Sequence, residues 1–556
     1  MVDQPTQPNG PDPDGPALPG PDARGEHRPS TDLLVFGVAA VVTLAFVVWG
    51  ATATEGLAAV ATSVLGWVIT NLGWFFVLTA SGFVVFALWL ALSRYGRIPL
   101  GPDDAEPEYR TVSWVAMMFS AGMGIGLMFY GVTEPLTHFT EPPPDTVAGS
   151  SNAAVETAMA TSLFHWTLHP WSIYAVVGLA LAYSTFRRGR RQLISAVFTP
   201  LFGKRAAEGT AGRLVDILAI FATLFGSAAS LGLGALQIGS GLNVLGWLTT
   251  EGTPLLVGVI VVLTAAFILS AVSGIERGIQ WLSNINMVLA ALLALFLFVV
   301  GPTVFVLNLL PTSIGGYFRD VWEMIARTDA TGGAATAEWL ATWTVFYWAW
   351  WISWTPFVGM FIAKISRGRT IRQFVAGVIL VPSVVSIVWF SVLGGTAIDV
   401  QRGGVDLAGQ NTQEAQLFGL LAEFPWATAM SILVMLLVSI FFVSGADAAS
   451  IVLGTLSQRG TEHPQRWAVI FWGALTGAVA AIMLLIGGDT ALTGLQNLTI
   501  IVAVPFVMVM VLLCVSLMRD LNSDPMMVRH AKRQVALDTG EIDSLVNRFQ
   551  RMVRKG

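Results

Sequence analysis

The sequence predicts an all-α polytopic membrane protein of about twelve transmembrane helices, ten of them forming two inverted five-helix repeats. Three observations carry that reading. The chain of 556 residues is 54% hydrophobic and only 12% charged, with a mean hydropathy of +0.68, and apolar runs of about 20 residues recur along nearly its whole length. Its Lys and Arg fall in alternate connecting segments. Two of the apolar runs are interrupted by Gly or Pro, five helices apart.

Residues 1–31 are rich in Pro, Gly and Asp with almost no apolar content, the composition of a disordered tail, and no cleavable signal peptide is expected before the first span. Residues 32–112 hold two peripheral helices, near 33–53 and 73–94. The first repeat, 113–308, reads as helices near 113–136, 153–185, 213–246, 253–273 and 281–308. A connecting segment, 309–337, leads to the second repeat, 338–518, with helices near 338–365, 371–396, 425–456, 465–487 and 494–518. Residues 519–556 form a basic tail. With the N-terminus inside, all of the 30 Lys and Arg except Arg319, Arg327 and Arg402 fall on the cytoplasmic side. This asymmetry orients the chain with both termini cytoplasmic and segment 309–337 outside, as expected in a bacterial inner membrane.

The interruptions point to where a ligand binds. The third helix contains Gly122, Met123, Gly124, Ile125 and Gly126, followed by Glu134 and Pro135; the eighth contains Ser353, Trp354, Thr355, Pro356 and Gly359. Broken helices at corresponding positions of two halves mark midplane sites in transporters. Close helix packing through small residues is the competing reading of the glycines. Glycines at every second position fall on different faces of a helix, which favours unwinding or close ligand approach.

Residues 343–354 read WTVFYWAWWISW. On a helix Trp343, Tyr347, Trp350, Trp351 and Trp354 share one broad face. An interfacial aromatic belt is one reading. Depth favours another: Trp351 lies roughly 18 Å along a helix starting near Trp339, around the midplane, where a cage for a quaternary ammonium has a use for such rings.

Other chemistries find little support. The single cysteine, Cys514, sits in the last apolar run, so no disulfide or thiolate metal site is available. The sequence has no HExxH motif or P-loop, and GMGIG lacks both the spacing and the preceding strand of a dinucleotide fingerprint. His165 and His169, at i and i+4, fit a metal on spacing alone, yet beside Trp166 and Pro170 they read as packing residues. An enzyme is not expected, nor a nucleic-acid partner or a cofactor. A channel fits poorly with a deep aromatic cage, because tight binding slows exit.

Five segments bear a resemblance to the betaine/carnitine/choline transporters: AGMGIGLMFYGVTEP (121–135), FHWTLHPWSIYAVVGLA (164–180), ATLFGSAASLGLGALQ (222–237), WTVFYWAWWISWTPFVGMF (343–361) and FFVSGADAAS (441–450). The resemblance implies a sodium-coupled symporter with the LeuT-like inverted-repeat fold, assembled as a homotrimer. It places the trimethylammonium group of a zwitterionic substrate among Trp166, Trp171, Tyr174 and Trp351. Trp354 and the segment around Ala121 and Met123 match the carboxylate end of the family site, while Trp350 and Phe346 match its access pathway and gate. Members that take choline often carry an acid where this chain has Gly126, so Gly126 favours glycine betaine or a related methylated zwitterion. Ectoine, proline, a proton-coupled choline importer and a sodium-independent carnitine or betaine exchanger are the alternatives.

The same resemblance assigns one sodium site to Thr223, Ser227 and Phe357. It assigns a second to Ser444 with the backbone near Ser120 and Met123. There the chain departs from the family, because Gly445 removes one of two usual hydroxyls; Ser120 is a candidate replacement. Raising a zwitterion a thousandfold costs about 4 kcal/mol, and one sodium crossing 100 mV and a tenfold gradient yields about 3.7 kcal/mol, so two ions are expected. The basic tail, with Arg519, Arg529, Lys532 and Arg533 among its charges, is expected to meet anionic lipids, each charge near the surface contributing about 1 kcal/mol.

Overall fold

Charge-free apolar stretches of this length have one way to satisfy their backbone in a bilayer, and the structure, a computed structural model, takes it. It describes residues 31–122, 124–248, 252–273, 276–488 and 491–529, without the side chains of 119–122, 272–273 and 276–283. Among the described residues regular structure is helical, with one isolated backbone bridge between Pro99 and Thr370.

The chain enters through α1 (Leu33–Thr52), whose first turn is capped by Asp32 Oδ1 accepting from the amides of Leu34 and Val35. One residue separates it from α2 (Thr54–Leu92). There follow α3 (Thr111–Gly122), α4 (Ile125–Thr140), α5 (Asn152–Trp166), α6 (Leu168–Ala182), the short α7 (Thr199–Phe202) and α8 (Lys204–Ala207), and the long α9 (Thr210–Val244). Next come α10 (Thr253–Ser273), α11 (Glu276–Val300), α12 (Thr303–Ala326), α13 (Asp329–Leu340) and α14 (Phe346–Ile365). The chain continues through α15 (Ile371–Arg402), α16 (Ala415–Ala422), α17 (Ala427–Ser457), α18 (Arg466–Ile486) and α19 (Ala491–Asn522).

Eight of these helices, α1, α2, α9, α10, α15, α17, α18 and α19, are each long and apolar enough to cross a membrane. They divide by surroundings. In its most apolar stretch α10 is 17% buried and α1 28%, whereas α9 is 78% buried. Helices apolar on all sides and exposed to this degree suit lipid contact, which makes α9 part of the interior. Around α9 pack α4, α14, α17 and α19, and α14 also packs on α6.

Four expectations need correction. The second helix begins at Thr54, not near residue 73, because 54–72 contains no Pro and continues the apolar pattern. The fourth, read as one span over 153–185, breaks at Thr167, whose backbone (φ −119°, ψ −105°) separates α5 from α6. The seventh, read as one span over 281–308, bends by 111° at Gly301–Pro302, where α11 meets α12. The eighth helix is not interrupted at Ser353–Pro356. α14 runs through Pro356; the carbonyl of Ile352, which the proline leaves without its usual amide, accepts instead from Thr355 Oγ1 at 2.6 Å. Its irregularity lies earlier, in a π-helical turn over Ala341–Val345.

The break in the third span is present. α3 ends at Gly122, α4 starts at Ile125, and Gly124 between them is fully extended (φ −171°, ψ 178°). Met123 lies outside the described residues.

Candidate binding site

Where α4 starts, the chain comes close to two indoles. A Cβ at Gly126 would lie 2.5 Å from Trp350 Cη2 and 2.9 Å from Trp166 Cη2, so only glycine leaves those rings where they are. Gly124, two residues earlier, faces open space.

Trp166 ends α5, Trp171 and Tyr174 lie on α6 past the Thr167 break, and Trp351 lies on α14. The break lets both helices present aromatics to one place. Trp166 meets Trp351 edge to face with centroids 4.9 Å apart, Tyr174 meets Trp351 at 6.1 Å, and Trp171 meets Tyr174 at 5.3 Å. Trp350 stacks on Trp351 at 4.8 Å. All four predicted cage rings thus border one cavity of about 690 Å³, together with Gly126, Trp350 and Trp354. That volume is in the range of small-molecule sites, roughly 300–1,000 Å³.

Four of the indole N–H groups are held by acceptors. Trp166 Nε1 donates to Glu134 Oε2 (2.6 Å), Trp350 Nε1 to Ser230 Oγ (3.1 Å), Trp351 Nε1 to the His165 carbonyl (3.1 Å) and Trp354 Nε1 to the Gly226 carbonyl (2.8 Å). With each polar edge engaged, these rings are fixed in orientation and have their π faces left to offer a ligand.

The predicted ion residues distribute unevenly. Ser227, Phe357 and Ser444 border the same cavity. Thr223 is fully buried one turn behind Ser227, its hydroxyl donating to the Ala219 carbonyl at 2.8 Å. Ser444 Oγ likewise donates to its own helix, at the Ile440 carbonyl (2.7 Å), and keeps lone pairs free to accept a cation. Gly445 borders the cavity, and a Cβ there would meet nothing within 4 Å. The backbone of Ser120, Ala121 and Gly122 belongs to the last turn of α3; their side chains are outside the description. Phe346 does not border the cavity. It is buried one turn before Trp350 on α14 and stacked on it at 5.6 Å.

Residues 350–354 and 343–347 face different surroundings. Tyr347 OH donates to Glu134 Oε2 (2.6 Å), and His165 Nδ1 lies 2.7 Å from Glu134 Oε1. Glu134, fully buried, thereby joins α4, α5 and α14, and positions Trp166 without itself bordering the cavity. The sequence offered one sign of this, a carboxylate inside an apolar span, which is a functional candidate by default. Ser230 and the carbonyls of His165 and Gly226 gave no sign. His165 and His169 do not form a pair: His169 stacks on Trp348 (5.0 Å) and lies 3.3 Å from Ser81 Oγ.

At one end of the bundle, Arg187 pairs with buried Asp524 (2.9 Å) and with Asp103 (2.6 Å), which also pairs with Arg529. Arg188 and Arg190 pair with Asp520. Against the upward push of burial, the Arg187 guanidinium holds the Asp524 carboxyl below its usual range. This web fastens the end of α19 to the segment after α6.

Fold and cavity define a multi-pass membrane protein with a ligand-sized, aromatic-lined interior site. The chain belongs to the BCCT family, the betaine/carnitine/choline transporters, whose pattern matches residues 34–526, and it is a transporter, not an enzyme. It is 45% identical over 518 residues to the betaine/ectoine transporter LcoP of Corynebacterium glutamicum, covering 92% of this chain and 81% of that protein. It is 42% identical over 499 residues to the glycine betaine transporter OpuD of Bacillus subtilis, covering 90% and 96%. Glycine betaine transporter 1 of Vibrio parahaemolyticus is 41% identical over 501 residues, covering 88% and 94%.

Proposed function

We propose that this transporter takes up glycine betaine or a similar trimethylammonium zwitterion across the bacterial cell membrane by sodium-coupled symport and alternating access, for osmoprotection. The observation that carries the reading is the convergence of Trp166, Trp171, Tyr174 and Trp351 on one cavity that Ser227, Phe357 and Ser444 also border. Each ring contributes about 0.5–2 kcal/mol to a desolvated cation. Trp354 stands on the same cavity as a candidate neighbour for the carboxylate, and Gly126 puts no acid beside the rings, although Asp447 borders the cavity elsewhere. Two sodium ions per cycle, a homotrimer and cytoplasmic termini belong to the same proposal. So does attraction of the basic tail, which beyond Arg529 lies outside the described residues, to anionic lipids.

Ectoine is the second reading, favoured by the relative named a betaine/ectoine transporter. Uptake of radiolabelled glycine betaine into proteoliposomes with an imposed sodium gradient tests the proposal, with unlabelled ectoine, choline and carnitine as competitors. Saturable uptake that needs sodium supports it. Uptake that persists without sodium would remove the ion assignment, and displacement by ectoine alone would transfer the substrate.

A further inference from the structure

His138 has no evident partner for its polarity. It follows Glu134 by one turn of α4, is fully buried, and lies against Trp343 (4.6 Å) and Trp339 (5.6 Å). Neither ring nitrogen has a hydrogen-bond partner, which leaves a buried imidazole with its desolvation uncompensated. A phenylalanine would fill the aromatic surroundings without that cost. The nearest groups its Nε2 approaches are those of the Glu134 web: it is 3.7 Å from Glu134 Oε1, which His165 Nδ1 approaches at 2.7 Å from the other helix.

One donor atom from each of Glu134, His138 and His165 lies within 4.8 Å of the other two. We propose that these three residues bind a divalent first-row transition-metal ion of the zinc class, and that the bound ion clamps α4 to α5 and holds this side of the cavity shut. Two imidazoles and one carboxylate suit Zn²⁺, Ni²⁺ or Cu²⁺ and not the oxygen-preferring Na⁺, Mg²⁺ or Ca²⁺. Tetrahedral zinc with bonds of about 2.0–2.2 Å sets its ligand atoms roughly 3.3 Å apart, so the widest separation must close by no more than roughly 1.5 Å while the 2.7 Å contact opens.

The second interaction of His165 makes this possible without a net proton change. Its Nε2 lies 3.0 Å from Thr344 Oγ1, in the turn before α14. Moving the ring proton to Nε2, where it is donated to the threonine, frees the Nδ1 lone pair for the metal and orients the ring, as outer-shell partners of metal-bound histidines do. The ion would therefore tie α4, α5 and, through Thr344, the approach to α14. Metal binding stands apart from the transport proposal; the clamp rests on it.

The test uses the full chain without a polyhistidine tag. Co²⁺ is titrated into the purified protein and followed by its visible d–d absorption, zinc content is measured after desalting, and the zinc-loaded protein is examined by X-ray absorption. Wild type should bind one Zn²⁺ per chain through two imidazoles and oxygen. His138→Phe, which preserves the ring contacts, should weaken binding by more than about a hundredfold, beyond the 10–100-fold typical of losing an outer-shell partner. His463→Ala, at an exposed loop histidine, should bind as wild type does. No tetrahedral Co²⁺ signal in wild type, an all-oxygen zinc shell, or undiminished binding in His138→Phe would overturn the site. The X-ray absorption result decides the matter even if the variant does not fold. Zn²⁺ should slow uptake by wild type and spare His138→Phe; binding without any slowing would overturn the clamp.

Discussion

Trp343 and Tyr347 pack toward His138 and Glu134, whereas Trp350, Trp351 and Trp354, about one to three turns further along the same aromatic run, border the cavity. The residue types are alike, and the acceptors differ. In the first region a buried carboxylate on α4 collects a tyrosine hydroxyl from α14 and an indole N–H and an imidazole from α5. In the second, a serine hydroxyl and two backbone carbonyls each take one indole N–H. One region therefore fixes the positions of helices, while the other fixes ring faces around an open space.

Removing the shared acceptor should break the first region with the largest effect. Glu134→Ala leaves the Tyr347 hydroxyl and the Trp166 indole buried without their acceptor, each costing about 1–3 kcal/mol. A thermal melt in detergent should drop steeply, and Glu134→Gln, which keeps one acceptor oxygen, should recover much of the loss. An unchanged melt for the alanine variant would mean the web does not hold the helices together.

The second region should instead lose affinity with little loss of stability. Gly126→Ala drives a methyl into Trp350 and Trp166, and we expect substrate affinity to fall about tenfold, roughly the contribution of one ring. Gly66→Ala, at an exposed position on α2 that meets open space, should bind as wild type. Equal affinities for the two variants would remove Gly126 from the site.

A gain is expected at Gly445. Serine there meets no neighbour within 4 Å and places a hydroxyl on the cavity near Ser444. The sodium concentration for half-maximal uptake should fall severalfold in Gly445→Ser, and a rise would argue against an ion site on α17.

An effect of a different kind is expected far from both regions. Asp524 is held below the usual carboxylate range by Arg187, so its contribution is complete above the unfolded value of about 3.9 and is lost as pH falls through the lower folded value. Asp524→Asn should lower stability by roughly 1–3 kcal/mol at neutral pH and flatten the acid limb of the stability curve. A variant with the wild-type acid limb would place the acid sensitivity elsewhere.

The comparison also separates what sequence can carry from what it cannot. That Trp166, Trp171, Tyr174 and Trp351 border one cavity was legible from the motifs that resemble a known family, and the Gly122–Gly126 break because glycine spacing is local. The continuity of α14 was not, since Pro356 reads as a breaker until Thr355 is seen bonding to the Ile352 carbonyl. Glu134 reaches partners 31, 32 and 213 residues away, a pairing no local pattern encodes. The same holds for Ser230, which is 120 residues from the indole it fixes.

The most direct test of the aromatic cage is the binding of glycine betaine to the purified transporter by calorimetry, in sodium and in its absence, for wild type and Trp351→Ala. The account predicts binding that sodium tightens in wild type and that is at least about tenfold weaker in the variant, the loss of one desolvated ring face. Equal affinities in the two proteins, with Trp351→Ala folded and sodium present, would contradict it.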